Sequence, residues 1–193
     1  MSRVGGLVFP LKAPDRRGGV REVAPGVLWV RLPLDDRLDH INVWLIEDGD
    51  GWTLIDSGVD SAEIRSLWTQ IFKDHVRGPL KRVICTHYHP DHVGLAGWMH
   101  ELHRAEVWMT EGELEAVRAN VAEPTSAEQA AMRAFFARFS SDAQAIRLQE
   151  GFWKWMSSMI HPLPSTVRKL EATSIEIGKH TWRVIIGRGH SPE

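Results

Sequence analysis

Only one cysteine, Cys85, occurs in the 193 residues, so no disulfide can close within the chain. That scarcity fits a reducing compartment without requiring one. Long apolar runs are also missing. No stretch approaches the roughly 20 residues that span a bilayer. The opening MSRVGGLVFPLKAPDRRGG has no apolar run long enough for a secretory core. These absences set the expectation of a cytoplasmic protein with no membrane partner. An excess of positive charge is lacking too. Lys and Arg number 23 against 25 Asp and Glu, a formal net charge of −2, and no basic run stands out. Nucleic acid therefore finds no electrostatic footprint here and is not expected as a partner.

What is present reads as an ordinary globular chain: 43% hydrophobic and 25% charged. The length suffices for one domain with a core, or for part of a larger one. Ten histidines matter more than the net charge, because neutral imidazole is a common metal ligand.

Residues 1–19 read as a loose leader broken by Gly5, Gly6, Pro10, Pro14, Gly18 and Gly19. Strand formers follow at 27–32 and 41–47. The turn DGDG at 48–51 joins the second of these to a returning strand at 52–57. A helix is expected over about 61–75, with Asp60 as its cap and Glu63 in the capping-box position. Ile64, Leu67, Trp68 and Ile71 would form its apolar face. A short strand at 80–87, a helix carrying Leu95, Trp98, Met99 and Leu102, and a strand at 105–110 complete an α/β pattern. Over 111–164 the strand signals vanish, which predicts a helical insertion. Met132, Phe135, Phe136 and Phe139 form one stripe there; Leu148, Phe152, Trp155, Met156 and Met159 form another. Strands return at 173–178 and 181–187.

The stretch THYHPDHVG (86–94) carries the chemistry. It puts His87, His89, Asp91 and His92 within six residues, directly after an apolar strand. Alternate residues of extended chain point the same way, so His87 and His89 can converge on one ion. Beyond Pro90 the chain turns, which can aim Asp91 and His92 at a neighbouring point. Imidazole nitrogens with a carboxylate suit zinc, and also iron or manganese. Two such cations about 3.5–4 Å apart can share a hydroxide as nucleophile.

The order H-x-H-x-D-H after Thr86 resembles the signature of the metallo-β-lactamase superfamily. LIDSG (54–58) resembles its first motif, and GRGHSPE (187–193) its third. The likeness spans about residues 20–193, interrupted by the insertion. It implies an αββα sandwich, of which residues 1–193 would be the N-terminal, incomplete part, with the helical insertion at 111–164. It implies that His87, His89 and His190 hold a first metal and that Asp91 and His92 contribute to a second. Asp56 would brace the ligand loop through hydrogen bonds. The superfamily's further bridging Asp and further His lie beyond the third motif, so the chain reads as a C-terminally truncated member. Arg188 also stands where a proline is often found.

The function this resemblance implies is hydrolysis by a metal-bound hydroxide, with one or two zinc ions, or iron or manganese, and a small-molecule substrate. A thioester, ester, lactone or lactam fits, and Asp91 is the candidate to orient the water and carry a proton. His89 stands where flavodiiron-type relatives carry Glu, and His92 makes the chain similar to the glyoxalase-II-like group. The alternatives are a phosphodiesterase or nuclease of the same fold, or a non-catalytic metal-binding module. An incomplete sandwich would expose apolar surface, which leaves self-association open.

The other candidates read as structural. His100 and His103 fall on the exposed side of their helix, and HELH lacks the H-E-x-x-H spacing. His40, His75, His161 and His180 have no partners in sequence. Cys85, inside an apolar strand, reads as a small buried residue. The aromatic stripes of the insertion fit packing on the core. As a lid over the metals, Met132, Phe136, Trp153 and Trp155 would be the residues involved.

Overall fold

The computed structural model describes residues 2–4, 6–34, 38–138 and 154–193. A seven-stranded sheet has its strands side by side in the order in which they occur along the chain. Its first half is an antiparallel meander: β3 (Val20–Ala24), β4 (Val27–Pro33), β5 (His40–Asp48) and β6 (Gly51–Ile55). The second half is parallel: β7 (Leu80–Ile84), β8 (Glu106–Met109) and the two-residue β9 (Arg168–Lys169). Parallel neighbours need crossovers. Helix α1 (Ala62–His75) supplies the first, and α2 (Pro90–Val93) with α3 (Ala96–His103) supplies the second.

Alternation along the strands separates two faces. Val30, Leu32, Val43, Leu45, Leu54, Val83 and Val107 point to one side. There they form a core with Ile64 and Trp68 of α1, Ala96 and Met99 of α3, and Leu114 of α4 (Glu111–Val121). The opposite face carries a smaller cluster, Ile46 and Ile84, against Ile177 of the hairpin β10 (Ser174–Ile177) and β11 (His180–Arg183). The mixed α/β architecture expected from the sequence is present.

Several local expectations are corrected. The leader is not loose throughout, because β1 (Ser2–Val4) and β2 (Leu7–Phe9) pair as a hairpin around Gly6, which has φ 85°. Strand β3 was not expected. The cap of α1 is Ser61, whose hydroxyl accepts from the Ile64 N–H; Asp60, one residue earlier, instead pairs with Arg65. Strand β11 stops at Arg183, where its partner β10 runs out, and Ile185 and Ile186 are exposed.

Within the expected insertion, α4 and α5 (Ser126–Phe136) are helical, as are residues 154–158. Thr125 and Glu128 close a capping box on α5. Of the stripe Met132, Phe135, Phe136 and Phe139, Met132 and Phe136 are half-buried and Phe135 is exposed, and α5 contributes no fully buried residue. Phe139, Leu148, Phe152 and Trp153 lie outside the described residues. Among the described residues no helix is long and apolar enough to cross a membrane.

His103 is not a surface residue. It packs on Phe72, with ring centroids 4.6 Å apart. His161 also has partners, since its Nδ1 lies 3.1 Å from an Arg65 nitrogen and its Nε2 lies 3.1 Å from Glu101 Oε2.

Candidate metal centre

The C-terminal ends of β6 and β7 are neighbours in the parallel half of the sheet, and the chain leaves each of them in a loop. After β6 it turns at once. Asp56 takes φ 61°, a left-handed conformation that Asp tolerates better than most residues, and Gly58 takes φ 84°. After β7 it runs through Cys85 into the 86–94 segment. His89 is extended, and Pro90 opens α2, where its missing N–H costs nothing.

Asp56 ties the two loops together. One carboxylate oxygen accepts from the Thr86 N–H at 2.7 Å. The other accepts from the Thr86 hydroxyl at 2.8 Å and lies 2.8 Å from His92 Nδ1. Ser57 adds to the tie: its N–H and hydroxyl both donate to the His92 carbonyl, and the Leu95 N–H donates back to the Ser57 hydroxyl. Gly94 allows a close approach of backbone to this loop. A Cβ there would fall 2.6 Å from the carbonyl oxygens of both Gly58 and Met159.

His87, His89 and His190 converge on this frame, each with one nitrogen within 4.8 Å of the others. The ring centroids of His89 and His190 are 4.6 Å apart. His92 stacks beside His87 at 3.8 Å, and its Nε2 lies 3.4 Å from Asp91 Oδ2. The six residues named from the sequence are therefore all at one place, although His190 is about a hundred positions from the loop it joins.

The electrostatics differ among the imidazoles. Burial, then the neighbouring His92, pulls the pKa of His87 down to about 4. Burial and His190 also lower that of His89. Both rings are thus neutral at pH 7, the form that ligates a metal. Burial depresses His92 as well, but hydrogen bonds to Asp56 and Asp91 and their charges outweigh it and raise it to about 9. Burial works against ionisation of Asp91, yet His92 holds its carboxyl below the usual range.

A divalent cation fits this donor set. Among the described residues the buried His87 Nε2 has no hydrogen-bond partner, while its Nδ1 faces the Thr86 hydroxyl at 3.0 Å. A buried nitrogen with no partner among the described residues, on a ring packed against other imidazoles, matches a ligand whose second nitrogen is held by a neighbour.

Sequence reasoning missed Glu113. It is fully buried, and its two oxygens accept from the N–H groups of Tyr88 and Glu193 at 2.8 and 2.7 Å. A Glu in the first turn of a helix ordinarily reads as a surface complement to the helix dipole, so no signal set it apart.

A groove of about 520 Å³ opens from the histidines. His89, Asp91 and His190 line it. Leu34, Val59, Ile64, Trp155, Met156 and Met159 supply apolar walls. Of the aromatic and Met residues considered as a lid, Trp155 lines the groove, whereas Met132 and Phe136 do not.

Residues 36–193 match the family model of the metallo-beta-lactamase superfamily. A beta-lactamase domain protein from Burkholderia ambifaria, of known structure, is 37% identical with a TM-score of 0.78, over 95% of this chain and 52% of its own. A metallo-beta-lactamase family protein from Thermus thermophilus is 21% identical with a TM-score of 0.71, over 89% of this chain and 55% of its own. A subclass B3 metallo-beta-lactamase of Bradyrhizobium japonicum, at 15% identity and TM-score 0.55, shares the fold over 93% of this chain and 55% of its own. The chain thus spans about half the length of these three proteins. No curated protein matches it.

Proposed function

Since the chain belongs to the metallo-beta-lactamase superfamily, we propose that the protein is a metal-dependent hydrolase acting on a carbonyl compound (a thioester, ester, lactone or lactam) that carries an apolar group. The observation that carries this reading is the convergence of His87, His89 and His190, with His87 Nε2 buried and, among the described residues, without a hydrogen-bond partner. These three would hold one ion. Asp91 and His92, beside them, would contribute to a second. Zinc suits the imidazole-rich set, and iron or manganese is compatible with it. When bound, a divalent ion supplies Lewis acidity, making water ionisable near neutral pH and polarising a substrate oxygen.

The chain's own residues have separate tasks in this reading. Thr86 holds His87 Nδ1, so that Nε2 faces the ion. Asp56 holds His92 Nδ1 in the same way. Asp91, with its carboxyl kept ionised and open to the groove, accepts a proton from the attacking water at a carboxylate oxygen and passes it to the leaving group. The apolar walls seat the non-reacting part of the substrate and exclude water from it.

The groove also bears on the phosphodiester alternative. Among the described residues its charged lining is Asp60, Glu63 and Asp91, with no Lys or Arg, which disfavours a polyanion. The test is elemental analysis of the purified protein together with a thioester, ester, lactone, lactam and phosphodiester panel. Metal bound with carbonyl turnover is expected. Bound metal with turnover of phosphodiesters alone would replace this reading, and absence of bound metal would remove it.

A further inference from the structure

The three histidines come from two separate segments, and something must fix one against the other. His87 and His89 sit on a loop braced by Asp56 and Ser57. His190 belongs to residues 187–193, which follow the β10–β11 hairpin on the far side of the sheet. The hydrogen bonds inside that segment, Gly189 N–H to the Ser191 carbonyl and the Ser191 hydroxyl to the Glu193 carbonyl, shape it without placing it.

Its placement comes from the start of α4. The Glu193 N–H donates to Glu113 Oε1 at 2.7 Å, and the Gly112 N–H donates to Glu193 Oε2 at 3.0 Å. The second oxygen of Glu113 accepts the N–H of Tyr88, the residue between His87 and His89, at 2.8 Å. One carboxylate therefore touches both ligand segments. The helix that carries it is itself fixed, because Leu114 and Val117 are buried in the core and Glu111 pairs with Lys169 of β9.

A fully buried carboxylate is costly unless it is well hydrogen-bonded, and a bridge between two backbone N–H groups repays that cost. We infer that Glu113 is a positioning residue: it sets the place of His190 relative to His87 and His89, and through that the affinity for the metal. This rests on the metal reading of the three histidines.

A positioning role makes a demand that a purely structural one does not. Glutamine at this position has one acceptor oxygen, and its amide group would oppose the other N–H. Glu113→Gln should therefore free one segment while α4 stays packed. Expected is a loss of about 10–100-fold in affinity for Co(II) or Zn(II), the range seen when groups that orient metal ligands are removed. Leu114→Ala, on the same helix but pointing into the core, should lower thermal stability and leave the affinity of the folded protein unchanged.

The experiment is competition titration of the metal-free full chain against a chromophoric chelator. It compares wild type, Glu113→Gln, His190→Ala, the double variant and Leu114→Ala, with the thermal midpoint of each. If Glu113 acts through His190, Glu113→Gln costs much less in the His190→Ala background than alone. Wild-type affinity in Glu113→Gln overturns the inference. So does full additivity with His190→Ala, or an equal affinity loss in Leu114→Ala. Failure of the wild-type chain to take up either metal overturns the metal reading itself, and is distinct from these outcomes.

Discussion

Asp56 Oδ2 lies 2.8 Å from His92 Nδ1, and the same carboxylate receives both the N–H and the hydroxyl of Thr86. The side chain is buried on a left-handed residue at the end of β6. It links the loop after β6 to the loop that bears the histidines. Asp56→Asn keeps a residue that tolerates this backbone but forces an amide nitrogen against donors. Expected is a destabilisation of about 1–3 kcal/mol from imperfectly satisfied buried groups. Metal affinity should fall about 10–100-fold as well. Urea unfolding of the metal-free protein reads the first effect and chelator competition the second. If both match wild type, the tie through Asp56 is ornamental.

His87 and His89 provide the most direct test of the centre. His87→Ala removes the buried Nε2, and His89→Ala removes the ring beside His190. Each should abolish tight metal binding, with stoichiometry measured by elemental analysis after dialysis. His103→Ala is the contrasting variant. That ring stacks on Phe72 away from the cluster, so it should cost packing energy and leave metal content intact. Unchanged stoichiometry in both His87→Ala and His89→Ala would require other ligands.

Periodicity made much of this frame legible. Val30, Leu32, Val43, Leu45 and Leu54 alternate, and Ile64, Trp68 and Ile71 repeat at helical spacing, so β4, β5, β6 and α1 were all foreseeable. The site residues were legible because five of the six lie in two short motifs, LIDSG and THYHPDHVG. The hairpin of β1 and β2 was hidden by the glycines around it. Ser61 outcompeted Asp60 as the cap of α1 by one position, which a pattern cannot resolve. Glu113 was invisible for a deeper reason: its burial is decided by two segments distant in sequence that meet only in the folded chain.

The opposite face of the sheet holds an acid-sensitive contact. Asp48 Oδ2 accepts from the Thr53 hydroxyl and the Arg82 guanidinium, and Oδ1 accepts from the Gly178 N–H at 2.9 Å. Burial alone would raise the pKa of Asp48, but these partners outweigh it and hold the carboxyl below its usual range. A lowered folded pKa contributes stability that is fully present above the ordinary carboxylate value of about 4 and lost as pH falls through the folded value. Asp48→Asn should therefore be less stable than wild type by about 1–3 kcal/mol at pH 7. The gap should close on acidification. Thermal midpoints from neutral to strongly acidic pH check this, and parallel curves for the two proteins would contradict it.

The groove makes a prediction about substrate. Trp155, Met156 and Met159 come from the segment around residues 154–159, and Val59, in the loop before α1, and Ile64 of α1 line the same groove. The segment is held there by the Asp60 N–H, which donates to the Met159 carbonyl, and by the His161 N–H, which donates to the Gly94 carbonyl. Apolar walls reward each methylene they cover by about 0.8 kcal/mol, or about fourfold in kcat/KM. In an ester series of increasing acyl length, kcat/KM should climb by up to that factor per carbon until the groove is filled. Trp155→Ala should flatten the climb, and should affect the shortest ester least, because that substrate does not reach the wall. A flat series in wild type would place the acyl group elsewhere. A steep series unchanged by Trp155→Ala would shift the seat toward Leu34 and Val59, where Val59→Ala becomes the decisive variant.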